Sequence, residues 1–311
     1  MLYKIKKKVK QLLNQTEQIL IKTLKLIAEK NGYFLVKKHF YSAIPEKEDL
    51  PSDYWQRQSD LMGITIDSHK ILQRLEAQSQ YILEFRDKIP LYQDNNEGLY
   101  LINSSFMAID AHIYYSFIRS FKPTRIIEIG SGYSTLFANL AIQQNETHTN
   151  LTAIDPYPSH LLKDLSSQHD YVEIIPKKLQ DIDLDLFSSL QANDILFIDS
   201  THMLRTGSDV QVEYCEILPR LAPGVLVHIH DISLPKHYPS VYFENELYWN
   251  EQYLLQAFLA FNSGFEIIWP GNYMMLNHPN ILLDIFPEFK VMRQHFPLSE
   301  PSSFWMQVKH D

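Results

Sequence analysis

The sequence predicts an α/β protein: a doubly wound sheet of seven mostly parallel strands, with a helical N-terminal extension. Between residues 125 and 231, short apolar segments alternate five times with helix-compatible segments. The apolar segments are continuous and do not alternate with polar residues, which is typical of parallel strands covered on both faces. Two further strand patterns near the C-terminus bring the number of strands to seven.

The predicted strands are runs of Ile, Leu, Val and Phe. The five parallel ones are RIIEIG from Arg125, NLTAID at 150–155, VEIIPK at 172–177, DILFID at 194–199 and GVLVHIHD at 224–231. Helices are predicted near 107–121, 134–144, 159–167, 183–190, 209–220 and 250–261, and the last two strands at 265–271 and 303–308.

We predict a domain boundary after residue 98, with a helical extension over 1–98 and the sheet domain over 99–311. The extension contains two helix patterns, at 11–30 and 68–85. Asn31-Gly32 is the predicted end of the first helix. The polar, turn-forming run at 92–98 separates the extension from the sheet domain.

Charge is distributed unevenly along the chain. Residues 1–40 contain ten lysines and two glutamates, although the whole chain has a net charge of −9. The acidic remainder would repel a phosphate backbone, so we do not expect a nucleic-acid partner. The first helix is basic and amphipathic, and we favour a helix packed on the main domain with its lysines in water. The alternative is contact of residues 1–30 with a membrane surface or a partner protein.

Several classes of protein are excluded by composition. The single cysteine, Cys215, cannot build a disulfide framework or a cysteine-based zinc site. No segment reaches the roughly 18 uninterrupted apolar residues of a membrane span, and the first residues do not resemble a secretory signal. We therefore expect a cytoplasmic protein. A homo-oligomer is compatible with the sequence.

Polar side chains stand where the predicted strands end. They are Glu128, the run Gly130-Ser-Gly132-Tyr-Ser134, Asp155, Asp199, His202 and the pair His230-Asp231. The carboxyl ends of parallel strands form one edge of a sheet, where ligands of open α/β folds bind. Because buried carboxylates are costly without partners, several acids at one edge indicate a binding site.

The loop after the first strand distinguishes two cofactor classes. A dinucleotide site requires G-x-G-x-x-G, but Thr135 stands at the third glycine and Glu128 would place negative charge near a pyrophosphate. S-adenosylmethionine has no phosphate and carries two cationic groups, so an acidic edge suits it. Asp155 is placed to accept hydrogen bonds from the ribose of either cofactor. We predict S-adenosylmethionine, and an NAD-dependent oxidoreductase is the alternative.

The runs IIEIGSGYST, FIDSTHMLRTGSDV and ILPRLAPGVLVHIHDI resemble the class I S-adenosylmethionine-dependent methyltransferases, most closely the bacterial small-molecule group called methyltransferase domain 24. The resemblance spans residues 100–275. It implies a Rossmann-like sheet of order 3-2-1-4-5-7-6 with an antiparallel last strand. It also implies a cofactor site in which Glu128, Gly130 and Gly132 line the methionine, Asp155 binds the ribose, Gln180 or Asp181 lies near the adenine, and Ser131, Tyr133, Ser134 and Asp199 complete the set.

Methyl transfer to a hydroxyl requires an aligned acceptor and a base. Asp199 and Asp231 end adjacent strands and can share Mg²⁺ or another divalent metal, which would lower the pKa of the acceptor oxygen. His202, three residues after Asp199, is then the predicted base. We predict O-methylation of a small hydroxyl-bearing molecule.

This layout is similar to that of catechol O-methyltransferase and the macrolide-sugar O-methyltransferases at Asp199, His202 and Asp231. It departs from them at His230, a poor Mg²⁺ ligand that favours Mn²⁺, Fe²⁺ or Zn²⁺, or binds nothing. A metal at Asp199, Asp231 and His230 therefore stays open.

These residues also have purely structural interpretations. His202 could be a turn residue bonded to backbone, and Asp231 could cap the segment that follows it. His228 is interpreted as a hydrogen-bonded core residue, not as a ligand. The aromatic residues at 238–249 form either a lid over the acceptor or an edge of the core. A further hypothesis is a non-catalytic member of the fold, tethered through its basic first helix.

Overall fold

The computed structural model describes residues 2–93 and 98–309 and divides the chain into two compact units, Met1–Leu50 and Pro51–Asp311. The division therefore falls after Leu50, not at the predicted boundary after residue 98. The physical reason is that residues 71–89 contribute buried apolar side chains to the same core as the sheet. Of the predicted break at 92–98, residues 94–97 lie outside the described residues.

The first unit consists of helix α1, Leu2–Lys30, and an irregular segment with one short turn at Lys47–Asp49. The predicted helix at 11–30 is confirmed, and it extends nine residues further toward the N-terminus. Asn31-Gly32 ends the helix as predicted, because Gly32 adopts a φ of +79°. Among the described residues, no helix is both long and apolar enough to cross a bilayer.

In the second unit, two helices replace the single one predicted at 68–85. They are α2, Ser68–Ala77, and α3, Ser79–Lys88. Gln78 lies between them with a ψ of 1°, outside helical geometry, and its side chain is buried. Ile71, Leu75, Ile82 and Phe85 face the core at helical spacing.

The seven strands form one sheet. They are β1 Arg125–Ile129, β2 Asn150–Ile154, β3 Val172–Ile175, β4 Ile195–Ile198, β5 Leu226–Ile229, β6 Phe265–Pro270 and β7 Phe304–Val308. Their order is β3-β2-β1-β4-β5-β7-β6, and β7 runs antiparallel to both of its neighbours. The predicted fold class and strand order are confirmed.

Helices cover both faces of this sheet. The helices that follow α3 in the chain are α4 Asp110–Phe121, α5 Tyr133–Gln143, α6 His160–Gln168, α7 Asp185–Ser188, α8 Asp209–Val212, α9 Ser240–Glu244, α10 Glu251–Leu259, α11 Gly271–Asn277, α12 Pro279–Ile285 and α13 Glu288–His295. Side chains of each strand alternate between two cores, as Ile126 and Ile127 of β1 do. The helix predicted at 209–220 leaves α-helical geometry after α8, and α9 and α11–α13 were not predicted.

The hydrogen bonds of the sheet continue one residue beyond the strands. The N–H of Gly130 donates to the carbonyl oxygen of Ile154 at 2.9 Å. The N–H of Asp199 donates to the carbonyl oxygen of Ile129 at 2.8 Å, and the N–H of His230 donates to that of Ile198 at 2.9 Å. These bonds fix the backbones of the strand-end residues side by side. The edge predicted to bind ligands is therefore ordered by the sheet itself.

Candidate active site

A cavity of about 900 Å³ opens beyond the carboxyl ends of β1, β4 and β5. Residues 104–108, the loop that follows β5 and the segment before β7 form its other walls. Seven of the predicted site residues line it: Ser131, Gly132, Tyr133, Ser134, Asp199, His230 and Asp231. The structure thus brings the first, fourth and fifth strand ends to one site, as the sequence predicts.

The two glycines after β1 serve different purposes. Gly130 has a φ of +88°, and a Cβ there would lie 2.0 Å from the carbonyl oxygen of Asp199. Glycine is therefore required at 130 by the close packing of two strand ends. A Cβ on Gly132 would meet nothing within 4 Å, although Gly132 lines the cavity. The protein does not need a glycine at 132 for its own packing, so the free space there is available to a ligand.

Glu128 lies beneath this loop and does not line the cavity. Its fully buried carboxyl accepts hydrogen bonds from Tyr114 Oη at 2.9 Å and Thr135 Oγ1 at 2.5 Å. Thr135 Oγ1 in turn accepts the N–H of Gly132 at 3.1 Å. Burial raises the pKa of Glu128 to about 7, against the opposing effect of these hydrogen bonds. Glu128 therefore holds the loop through Thr135, and its predicted contact with the methionine of the cofactor stays a prediction.

The other predicted cofactor residues lie at the neighbouring strand ends. Asp155 follows β2, and its carboxylate accepts hydrogen bonds from Ser131 Oγ at 2.5 Å and the N–H of Tyr157 at 2.7 Å. Gln180 and Asp181 are exposed on the turn after β3 and do not line the cavity, and Gln180 Nε2 donates to the carbonyl of Gly207. Asp155 is therefore linked directly to the cavity wall, whereas Gln180 and Asp181 are not.

Asp199, His230 and Asp231 form a compact cluster at the cavity wall. One ligand atom from each lies within 4.8 Å of the others, and His230 Nδ1 is 3.7 Å from an oxygen of each aspartate. Burial opposes protonation of His230, but the charges of Asp231 and Asp199 raise its pKa well above the ordinary value. Asp231 has a φ of +55°, an uncommon conformation for a residue with a side chain. Two carboxylates and one imidazole are a donor set that divalent transition metals accept.

His202 lies behind this cluster and does not line the cavity. Its Nδ1 is 2.9 Å from Glu251 Oε2, and its Nε2 is 3.3 Å from Asp199 and 3.5 Å from Asp231. Although burial lowers the pKa of His202, hydrogen bonding to Asp199 and Glu251 raises it to about 10. An imidazolium whose two N–H groups already face carboxylates cannot accept a proton at neutral pH. His202 therefore lies in contact with Asp199 and Asp231 from outside the cavity, and its role as the base stays a prediction.

Two acidic residues of the site were missed by sequence reasoning. Asp110, the first residue of α4, lines the cavity, accepts the N–H groups of Ser302 and Ser303, and lies 3.7 Å from His230 Nε2. Glu251, in the first turn of α10, is fully buried against His202. Both look like ordinary helix-start acids in the sequence. The one sequence feature that could have indicated a role in the site is a carboxylate in the first turn of a helix that is largely apolar and therefore buried.

The aromatic and histidine residues after β4 divide between the core and the cavity. His228 is fully buried, bonds Ser303 Oγ at 2.8 Å and stacks on Phe197 at 3.9 Å, so its interpretation as a core residue is confirmed. Tyr238 and Tyr242 line the cavity, whereas Trp249 packs on the ring of His202 at 4.4 Å. The 238–249 segment is therefore both a wall of the cavity and an edge of the core.

Comparison with known proteins identifies the family. Residues 127–232 match the family model described as methyltransferase domain. An uncharacterized protein of Archaeoglobus fulgidus is 32% identical over 167 residues, which cover 50% of this chain and 74% of that protein. The chain belongs to the methyltransferase-domain family. The resemblance inferred from the strand-end motifs is thus confirmed.

Two solved structures are similar to this methyltransferase-family chain. One is SAH-bound methyltransferase PaMTH1 of Podospora anserina, at 12% identity and a TM-score of 0.43, with 79% of this chain and 99% of that chain covered. The other is the plantazolicin methyltransferase BamL, at 11% identity and a TM-score of 0.43, with 78% of this chain and 97% of that chain covered. Likenesses of this size say nothing about the cofactor or substrate of this chain.

The two glycines of the loop should respond differently to alanine. Gly130→Ala should lower the free energy of unfolding by about 2 kcal/mol or more, because the Cβ meets a backbone carbonyl and the φ is left-handed. Gly132→Ala should stay within about 0.5 kcal/mol of the wild type, since its Cβ enters open space. Urea unfolding of both variants measures this, and equal losses would contradict the assignment.

The buried carboxyl of Glu128 should make stability depend on pH. Its pKa is about 7 in the folded protein, against an ordinary value of 4.5. The contribution of the buried Glu128 carboxyl to the free energy of unfolding is complete below the pKa that Glu128 has in the unfolded chain. It is lost as the pH rises through the pKa that Glu128 has in the folded protein. Glu128→Gln removes this titration, so its unfolding free energy relative to wild type should rise by about 2–3 kcal/mol between pH 5 and pH 8. A difference that is constant across this range would show that Glu128 keeps an ordinary pKa.

Proposed function

We propose that this protein is an S-adenosylmethionine-dependent methyltransferase that methylates a hydroxyl group of a small molecule. The observation that carries the proposal is that one cavity is bordered both by the open space at Gly132 and by the Asp199–His230–Asp231 cluster. A donor site and an acceptor-activating site must share a cavity, because methyl transfer is a direct displacement at carbon.

The loop residues fit S-adenosylmethionine better than a dinucleotide. Gly132, Ser131 and Tyr133 would hold its methionine portion, and Asp155 would accept its ribose hydroxyls. Where a dinucleotide site needs a third glycine, Thr135 is fully buried and bonded to Glu128. When bound, S-adenosylmethionine supplies a methyl group on a good leaving group. The loop backbone needs only to hold it in line with the acceptor.

The acidic cluster suits a hydroxyl acceptor. The side chains of Asp199 and Asp231 are partly exposed, at 35% and 23%, and can accept a hydrogen bond from a hydroxyl in the cavity. Because His202 contacts both carboxylates from behind and Asp110 lies beside His230, the cluster is fixed in orientation before an acceptor enters. The acceptor proton passes to a carboxylate oxygen as the methyl group is transferred, and His202 keeps its own protons.

A divalent metal fits the same residues. Asp199, Asp231 and neutral His230 would hold it, and it would lower the pKa of an acceptor hydroxyl. The imidazole favours Mn²⁺, Fe²⁺ or Zn²⁺ over Mg²⁺. Hydrogen-bonding partners behind metal ligands commonly fix their orientation, which is the position of His202 relative to Asp199 and Asp231.

Cofactor binding can be measured by titration calorimetry with S-adenosylhomocysteine. Gly132→Val should weaken binding by about 10–100-fold, because the side chain fills space that the fold leaves open. Gly132→Ala is the matched control and should cause a smaller loss, with unfolding midpoints unchanged in both variants. If wild type binds NADH and does not bind S-adenosylhomocysteine, the protein is an oxidoreductase and the proposal is wrong.

Metal binding is tested by titrating the chelator-treated protein with Mn²⁺ and Zn²⁺. Asp231→Asn should lose binding, whereas His202→Gln should retain it with about 10–100-fold lower affinity, as expected for loss of an orienting partner. Transfer of label from S-adenosylmethionine into a fractionated extract of the source cell, with and without metal, then reports the acceptor and the metal requirement. If wild type binds no divalent metal and chelator leaves transfer unchanged, the cluster acts through its carboxylates alone.

A further inference from the structure

We propose that the unit Met1–Leu50 docks on an anionic lipid surface, with α1 lying in the plane of the bilayer interface. The residues found to line the cavity all belong to the unit Pro51–Asp311, so the inference is independent of the proposed catalytic function. It rests on three features of the described residues: an exposed apolar face, a surplus of lysines and a neighbouring segment of exposed aromatic side chains.

The apolar face of α1 is continuous and exposed. Leu13, Leu20, Leu24 and Ile27 recur at spacings of seven, four and three residues and so share one face of the helix. Their exposed fractions are 64%, 58%, 45% and 54%, and Leu12, Ile19 and Leu26 beside them are also exposed. Contiguous exposed apolar surface on a soluble fold commonly marks an interaction site.

The opposite face of α1 is polar along its length. Lys7, Gln11, Asn14, Gln18, Lys22, Lys25 and Glu29 recur at spacings of three and four residues. With ten lysines against two glutamates in residues 1–40, the segment is strongly cationic in a chain of net charge −9. An apolar face combined with lysines is the pattern of helices that bind anionic membrane surfaces.

The segment after α1 adds exposed aromatic residues. Phe34, Phe40 and Tyr41 are 92%, 94% and 87% exposed, and Tyr33 is 72% exposed. Lys37 and Lys38 lie between them in the sequence. Aromatic rings beside lysines are favoured at the boundary between lipid headgroups and acyl chains.

A second copy of the chain fits α1 less well than a lipid surface. A two-stranded coiled coil needs apolar residues at both core positions of every heptad. In the register that places Leu13, Leu20, Leu24 and Ile27 in the core, the positions seven and fourteen residues before Leu24 are Glu17 and Lys10, so one of the two core positions is charged in two heptads. A lipid interface tolerates such interruptions, because lysine side chains extend toward the headgroups.

Vesicle flotation of the full chain tests the proposal. The protein should float with phosphatidylcholine vesicles that contain about a third phosphatidylserine, and should not float with pure phosphatidylcholine. Raising the salt from about 0.1 M to about 1 M should release most of it, because the Debye length falls from about 10 Å to about 3 Å. Absence of flotation with the anionic vesicles would overturn the proposal.

Three triple variants separate the contributions. Leu13→Gln/Leu20→Gln/Leu24→Gln and Lys10→Gln/Lys22→Gln/Lys25→Gln should each reduce the bound fraction at least about tenfold. The matched control, Gln11→Ala/Asn14→Ala/Gln18→Ala, changes the polar face alone and should bind like wild type. All three should keep the wild-type unfolding midpoint of the sheet domain. If the leucine variant binds like wild type, or if sedimentation shows that the leucines hold two copies together and vesicles bind neither, lipid docking is wrong.

Discussion

The first and fourth strands end in direct backbone contact, and the cavity depends on this contact. Gly130 packs against the carbonyl of Asp199 so closely that a Cβ would lie 2.0 Å from the oxygen. The N–H of Asp199 meanwhile donates to Ile129. The chain can leave β1 and turn into α5 only because residue 130 tolerates a left-handed φ. This turn directs residues 131–134 and Asp199 toward the same space.

Around that contact, the site is organised by paired buried charges. Isolated carboxylates beneath a sheet edge would be too costly, so each acid has a partner. Glu251 and Asp199 are paired through His202, and Asp110 and Asp231 through His230. These contacts use Oδ1 of Asp199, whereas both carboxylate oxygens of Asp231 are engaged. The same pairing raises the pKa of His202 to about 10, which favours a carboxylate over His202 as the proton acceptor in the proposed reaction.

Sequence reasoning located the sheet because its strands are continuously apolar, and it located Asp199, His230 and Asp231 because strand ends share an edge. It could not find Asp110 or Glu251, which reach the site from α4 and α10 across many residues of chain. It did not show that Glu128 and His202 are buried against other side chains, since a residue's position relative to a strand does not say whether its side chain faces a ligand or a buried partner. The boundary after Leu50 was missed because α2 and α3 bury the same residue types as a separate helical cap would.

A crystal structure with S-adenosylhomocysteine tests the central claim most directly, namely that the cavity between the glycine loop and the acidic cluster is where methyl transfer occurs. We expect the ligand to lie against residues 131–134, with its ribose at Asp155 and its sulfur facing the cavity wall formed by Asp199, His230 and Asp231. Density for the ligand at another surface, or a cavity that stays empty at saturating ligand, would contradict the account.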